Sequence, residues 1–175
     1  MIIRIKKRHF LRSSDIKKVI EVASKNFKGI NIDLRGSEVE LMVLETNDKL
    51  YLVGGMPFMV TRSNNITHPT LIALQKGVIS LEEVTVDRGA VPYVLRGADV
   101  MVPGIIKFPK DVERGRIVAV KGEDLASPIA VGITLMDYNE FSSSNKGKAV
   151  KNIHHLGDKL WKFYMGLQTQ QRRRR

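Results

Sequence analysis

One stretch constrains what this chain can fold into more than any other: Arg88-Gly-Ala-Val-Pro-Tyr-Val-Leu-Arg-Gly-Ala-Asp-Val-Met-Val-Pro-Gly-Ile105. It carries two Gly-Ala pairs, Gly89-Ala90 and Gly97-Ala98, and closes on Pro103-Gly104. Val91 to Gly97 leaves room for about two helical turns. Pro92 suits the first turn of such a helix, where a missing N–H costs nothing, and Gly97 suits the left-handed position that ends it. Asp99, Val100 and Met101 then read as a short strand stopped by Pro103. Small residues on both sides of a short helix let a backbone approach a partner closely, and Arg88 and Arg96 flank this one. A loop of that kind cradles a phosphate or a base edge. The same Gly-Ala pairs also serve tight packing.

At 175 residues the chain holds one large domain or two small ones. Its 43% hydrophobic content is that of a soluble globular protein. It has no cysteine, which removes disulfides, cysteine nucleophiles and thiolate metal sites and fits a reducing cytoplasm. No apolar run approaches the roughly 20 residues of a membrane span. The basic start is not followed by the apolar segment of a secretory signal. The net charge of +11 sits at the ends. Residues 1–18 carry seven Lys or Arg against one Asp, and the last ten residues carry four Arg, Arg172 to Arg175, and no acid. The middle is nearly balanced. Ends of this charge suit phosphate backbones or an anionic surface, or are simply solvated.

Taken in order, Met1 to Arg8 reads as a Lys-rich edge strand. A helix follows that Ser13 or Ser14 can cap, with Ile16, Val19, Ile20, Ala23 and Phe27 on one face and Gly29 at its end. Ile30 to Leu34, Val39 to Leu44, Leu50 to Val53 and Phe58 to Thr61 read as strands, and Thr70 to Lys76 as a helix closed by Gly77. His68 reads as a capping or packing residue. From Leu81 the pattern changes to many short strands: Glu83 to Val86, Val100 to Val102, Arg116 to Val120, Pro128 to Met136, Ala149 to His154 and Leu160 to Tyr164. Such a series with Gly and Pro punctuation predicts a small barrel or sandwich. Ser142 to Asn145 reads as a polar loop, and Trp161 as core of the last strand. The fold class is therefore α+β, with an α+β domain at 1–78, a small barrel or sandwich at 82–164 and a basic tail at 166–175.

Motifs for catalysis are absent. No phosphate-binding G-x-x-x-x-G-K-[ST] occurs: the segment ending at Gly147-Lys148 has Ser142 in place of the first glycine and Ala149 in place of the hydroxyl residue. His154 and His155 are adjacent, so on a strand they point to opposite faces and do not chelate one metal. Asp99 is the one acid in the central run, and it reads as a turn residue accepting backbone N–H groups beside Gly97. No cofactor and no metal is implied.

The central run, with Pro128-Ile-Ala-Val-Gly132 and Gly147-Lys-Ala-Val150, resembles a PUA domain, a small β pseudo-barrel that binds structured RNA. Pro69-Thr-Leu upstream and Asn152-Ile-His-His-Leu-Gly-Asp-Lys-Leu-Trp161 downstream extend the likeness to ribosome-associated PUA proteins of the malignant T-cell amplified sequence type, in which a pre-PUA domain precedes the barrel. The resemblance implies a non-catalytic, cytoplasmic RNA-binding protein acting in translation initiation and recycling. It also implies tRNA or rRNA as ligand at the small ribosomal subunit and the tRNA acceptor end, a density-regulated-protein-like partner, and no membrane. Carried onto this chain, the RNA site comprises Arg88, Arg96, Gly97, Ala98, Asp99 and Met101. Lys107, Lys148 and Lys151 join them as basic residues close to the motif segments. The alternative is an RNA-targeting subunit of a tRNA- or rRNA-modifying enzyme, of transglycosylase or pseudouridine synthase type.

Overall fold

A computed structural model describes residues 3–173. The chain separates into two compact units, Met1–Ser80 with Lys159–Arg175, and Leu81–Asp158.

The first unit begins with strand β1 (Ile5–Phe10), helix α1 (Ser13–Asn26) and strand β2 (Gly29–Ile30). Strands β3 (Val39–Leu44), β4 (Lys49–Val53), β5 (Met56–Thr61) and β6 (Thr67–Pro69) follow, then helix α2 (Leu71–Gln75) and strand β7 (Ile79–Ser80). β1-β3-β4-β5-β6 form one antiparallel sheet with β1 at its edge, and β2 pairs with β7. The basic edge strand expected from sequence is thus present. Asn47, at φ 63°, makes the β3–β4 turn that Thr46-Asn-Asp-Lys49 signals. Gly77, at φ +68°, follows α2, and Thr70 caps that helix by accepting the Ala73 N–H at 3.1 Å. His68 is fully buried on β6, a packing residue.

The second unit contains β8 (Glu83–Val86), α3 (Val91–Val94), β9 (Val100–Met101), a 3₁₀ turn (Val102–Gly104), β10 (Ile105–Lys107), β11 (Ile117–Gly122), β12 (Ala130–Thr134), α4 (Tyr138–Ser142) and β13 (Lys148–His155). Its strand order is β10-β8-β11-β12-β13-β9. The two outermost strands, β9 and β10, are joined by the three residues of the 3₁₀ turn. A sheet whose edges are that close in sequence has to curl until they meet, which makes it a pseudo-barrel. Val84, Val86, Val100, Val118, Val120 and Val150, all 2% exposed or less, fill the interior. Burying each of these valines contributes about 1.5–3 kcal/mol towards holding the curled sheet closed. At Gly132 a Cβ would stand 2.2 Å from Val150 Cγ1, so the β12–β13 contact requires glycine there. The α+β class with a C-terminal pseudo-barrel is as expected.

The last element corrects the expectation for Leu160 to Tyr164. It is not a strand but the start of helix α5 (Lys159–Arg173). Leu160, Tyr164 and Leu167 are buried at helical spacing against Met42, Leu44, Leu50, Leu52 and Ile72. Trp161 is half-buried on the same helix, packed against that cluster, and belongs to no barrel strand. Smaller corrections concern α1, which starts from Arg12 without a side-chain cap and ends before Phe27, not at Gly29. Ile30–Leu34 contributes only the short β2. Tyr138–Ser142 forms α4, opened by a capping box between Asp137 and Glu140 and taking in the first serine of the expected Ser142 to Asn145 loop. Arg174 and Arg175 of the basic tail lie outside the described residues.

Candidate nucleic-acid interface

Helix α3 is a single turn because its sequence permits no more. Pro92 occupies its first turn, and Gly97, at φ +87°, reverses the chain in the left-handed region. Gly97 N–H donates to Val94 O at 2.9 Å and Ala98 N–H to Tyr93 O at 3.1 Å, the nested pair of a glycine-terminated helix. Asn152, on β13, donates its side-chain amide to the carbonyls of Val94 (3.0 Å) and Ala98 (3.1 Å). Val94 O thus accepts from both Gly97 and Asn152, and Ala98 O, beyond the helix end, is held to β13 by the same amide. At the other end of the run, a Cβ on Gly104 would lie 3.1 Å from the Ala90 Cβ. Part of the small-residue pattern therefore serves packing.

Asp99 ties this loop to β13. Its Oδ1 accepts the Asn152 N–H at 3.0 Å and its Oδ2 accepts Lys148 Nζ at 2.9 Å. The Lys148 hydrogen bond, more than any other influence, holds its carboxyl below the ordinary 3.8, with Lys151 adding to the effect. Asp99 accepts a backbone N–H, as expected, but across 53 residues and not within its own turn. It ties the loop to β13 and holds the Lys148 ammonium against it.

Seven of the sequence-predicted site residues are thereby brought together: Arg96, Gly97, Ala98, Asp99, Met101, Lys148 and Lys151 lie on α3, its glycine turn, β9 and β13, and β9 pairs with β13 through Met101 and Lys148. Arg96 lies over the Tyr93 ring, 4.8 Å from its centroid. Tyr93 is 61% and Met101 45% exposed. A groove of 410 Å³ runs beside them, lined mostly by apolar residues such as Ala90, Tyr93, Met101 and Pro103, with Asp87 and Asp99 also on its wall. The surface thus combines a stacking aromatic, an apolar groove and three cations.

The other two are not gathered here. Arg88 donates to Asp124 Oδ2, and its own N–H to Glu123 Oε1 at 3.0 Å, while the guanidinium lowers the Asp124 carboxyl below its ordinary value. Lys107, on β10, lines a separate cleft with Glu83, Phe108, Tyr138 and Phe141. Two residues that the sequence reasoning left out belong to the surface. Tyr93 stood in plain view as the one aromatic between the Gly-Ala pairs. Asn152 had no local signal, because its role is to reach carbonyls more than 50 residues away. His154 is buried with Nδ1 2.7 Å from Asp158 Oδ2, while the His155 ring lies beside Gly97, so the adjacent histidines do part to different surroundings. Among the described residues no three His, Cys, Asp or Glu side chains are grouped to hold a metal.

Residues 82–156 match the model of the PUA domain, and residues 7–77 that of a domain of unknown function (DUF1947). An uncharacterized protein of Methanocaldococcus jannaschii is 36% identical over 91% of this chain and 98% of its own. Translation machinery-associated protein 20 of Schizosaccharomyces pombe is 32% identical over 84% of each chain. Malignant T-cell-amplified sequence 2 of Homo sapiens is 30% identical over 86% of this chain and 88% of its own. This chain belongs to their family of PUA-domain proteins. A crystal structure of a hypothetical protein from Pyrococcus horikoshii, 33% identical, matches 90% of this chain and 99% of its own with a TM-score of 0.77. The PUA match ends at Leu156, before α5 begins. The Arg96–Met101 loop and the β13 lysines fall within the PUA domain, and most of β1 with α1 through α2 within DUF1947, which is the pre-PUA position in this family.

Proposed function

We propose that this protein binds structured RNA without catalysing a reaction, and does so in translation. The observation that carries the reading is the surface on the PUA domain. There Asp99 ties the turn that follows the exposed Tyr93–Arg96 pair to Lys148 on β13, the strand that also carries Lys151, beside a largely apolar groove. Lysines hold phosphates, an exposed aromatic stacks an unpaired base, and a fixed turn reads shape, which is how structured RNA ends are held. The printed names of the relatives, with coverage of 84% or more of each chain, support translation as the setting. Within it, the finer reading is the small ribosomal subunit and the acceptor end of tRNA, in initiation and recycling, with a density-regulated-protein-like partner and in the cytoplasm. No helix among the described residues is long and apolar enough to cross a membrane.

The test is a sucrose gradient of cell extract at low salt, probed for this protein. Comigration with small subunits is the expected result. A light fraction shared with a tRNA-modifying enzyme would replace this reading by that of a targeting subunit. Purified protein incubated with unmodified tRNA should leave every nucleoside unchanged by mass spectrometry.

A further inference from the structure

The five-stranded sheet of the first unit is covered unequally. On one face Met42, Leu44, Leu50 and Leu52 are fully buried under α2 and α5. On the other, the cross-strand ladder His9–Leu41–Tyr51–Met59 runs from β1 to β5, and a second row, Lys7–Val43–Lys49–Thr61, lies beside it. In these rows Met59 is buried, His9, Leu41, Val43, Tyr51 and Thr61 are half-exposed, and Lys7 and Lys49 are exposed. Helix α1 crosses only part of this face. What remains is a cleft of 310 Å³ between the ladder and the α1 flank of Asp15, Lys18 and Val22.

We propose that this cleft takes a single unpaired nucleotide of RNA, the base lying on Leu41, Tyr51 and Val22 and the phosphate held by Lys49 with Lys18. The proposal rests on the reading of the protein as RNA-binding and adds a second contact, on the DUF1947 unit. Size favours one nucleotide: the volume is at the lower end of the range of about 300–1,000 Å³ for ligand cavities, too small for a docked peptide helix. The chemistry of the walls agrees. A base needs an apolar floor together with both donors and acceptors at its edge, and the cleft lines that floor with Asp15, the Tyr51 hydroxyl and Thr61, whose hydroxyl is shared with Thr67 at 2.9 Å and would exchange partners with a base. Charge complementarity points the same way. Lys18 is shared with Asp15 at 3.4 Å, but Lys49 and Lys7 make no ion pair among the described residues, and they stand in one row of the same face, two strands apart. Finally, His9 Nδ1 is buried with no hydrogen-bond partner among the described residues. A turn of the imidazole about its Cβ–Cγ bond would present a ring nitrogen to a base seated in the cleft.

Isotope-labelled full-length protein titrated with adenosine, guanosine, cytidine and uridine monophosphates, followed by amide NMR shifts, tests this directly. Shifts at Leu11, Leu41, Tyr51 and Thr61 are expected with at least one of them. Lys49→Glu, an exposed substitution that spares the core, should weaken that binding about tenfold or more. The same variant should also weaken a hairpin RNA with a bulged nucleotide, and leave a fully paired hairpin of equal length bound as before. Shifts confined to residues around Tyr93 and Met101 would overturn the cleft and leave the PUA surface standing. No shift with the nucleotides and no binding of either hairpin would overturn the RNA reading itself. Saturation of the cleft by an acidic peptide, with the nucleotides inert, would assign it to a protein partner and overturn the proposal.

Discussion

Gly97 stands against His155: a Cβ built on the glycine would lie 3.0 Å from the imidazole Nε2. The glycine also sits at φ +87°, so two independent constraints act on one residue. The backbone turn rejects a side chain on conformational grounds, and the ring behind it rejects one on space. His155 is held in turn, because its Nδ1–H donates to Leu156 O at 2.9 Å. The turn that presents Arg96 and Ala98 is thus braced from β13.

Gly97→Val should therefore destabilise the PUA unit by about 1–3 kcal/mol through backbone strain, with an added cost from displacing the ring. RNA affinity should fall with it. Urea unfolding and a filter-binding titration measure the two effects. A folded variant that binds RNA as the parent does would remove this loop from the interface.

Asp99 gives a pH dependence whose sign follows from its environment. Its folded carboxyl titrates below the ordinary 3.8, so the stability it supplies is present above that value and disappears as pH falls through the depressed folded one. Asp99→Asn should be less stable than the parent at neutral pH, and the difference should close on acidification through the carboxylate range. Urea midpoints taken from pH 7 downward decide it. A difference independent of pH would mean that Asp99 contributes as a shape and not as a charge paired with Lys148.

Helix α5 makes the opposite kind of statement from what its short apolar segment led one to expect. Leu160→Ala should cost the first unit about 2–5 kcal/mol, because the residue is 5% exposed and seated among Leu50, Leu52 and Tyr164. Trp161 is the only tryptophan in the chain and packs on the same cluster, so its fluorescence reports that unit's unfolding. Loss of barrel amide protection in place of this effect would put the segment back with the PUA unit.

How far the sequence carried is clearest from pairs of elements. The glycine-terminated turn of α3 was legible because Pro92 and Gly97 act locally, each through its own φ. The β3–β4 hairpin was legible for the same reason, from an Asn-Asp turn between alternating strands. Leu160-Trp-Lys-Phe-Tyr164 misled because five residues rich in aromatics suit either a strand or a helix. The decision lay further on, in Leu167, which continues the spacing set by Leu160 and Tyr164. Of the site, Arg96 and the glycine turn were visible as a motif, whereas the pairing of Arg88 with Asp124 was not. An ion pair across 36 residues leaves no trace in local pattern, and it gives Arg88, which the family resemblance carried to the RNA site, an acidic partner of its own.

The uneven charge separates two kinds of contact. Each phosphate neutralised by a cation releases a counterion, so binding weakens with salt by a slope of about −0.7 to −0.9 per contact. Deleting Arg172 to Arg175 should flatten that slope by roughly 2 to 3, as a terminal segment seldom engages every charge at once. The loss should be alike for cognate and unrelated RNAs, since such a segment reads charge and not sequence. Arg96→Ala removes the cation that lies over the Tyr93 ring and, with it, the proposed phosphate contact. It should change the slope by only about one and lower the preference for the cognate RNA, because the stacking surface is disturbed with it. Titrating both variants against the same two RNAs at several salt concentrations separates these outcomes. An unchanged slope after tail deletion would assign affinity and specificity together to the surface between α3 and β13.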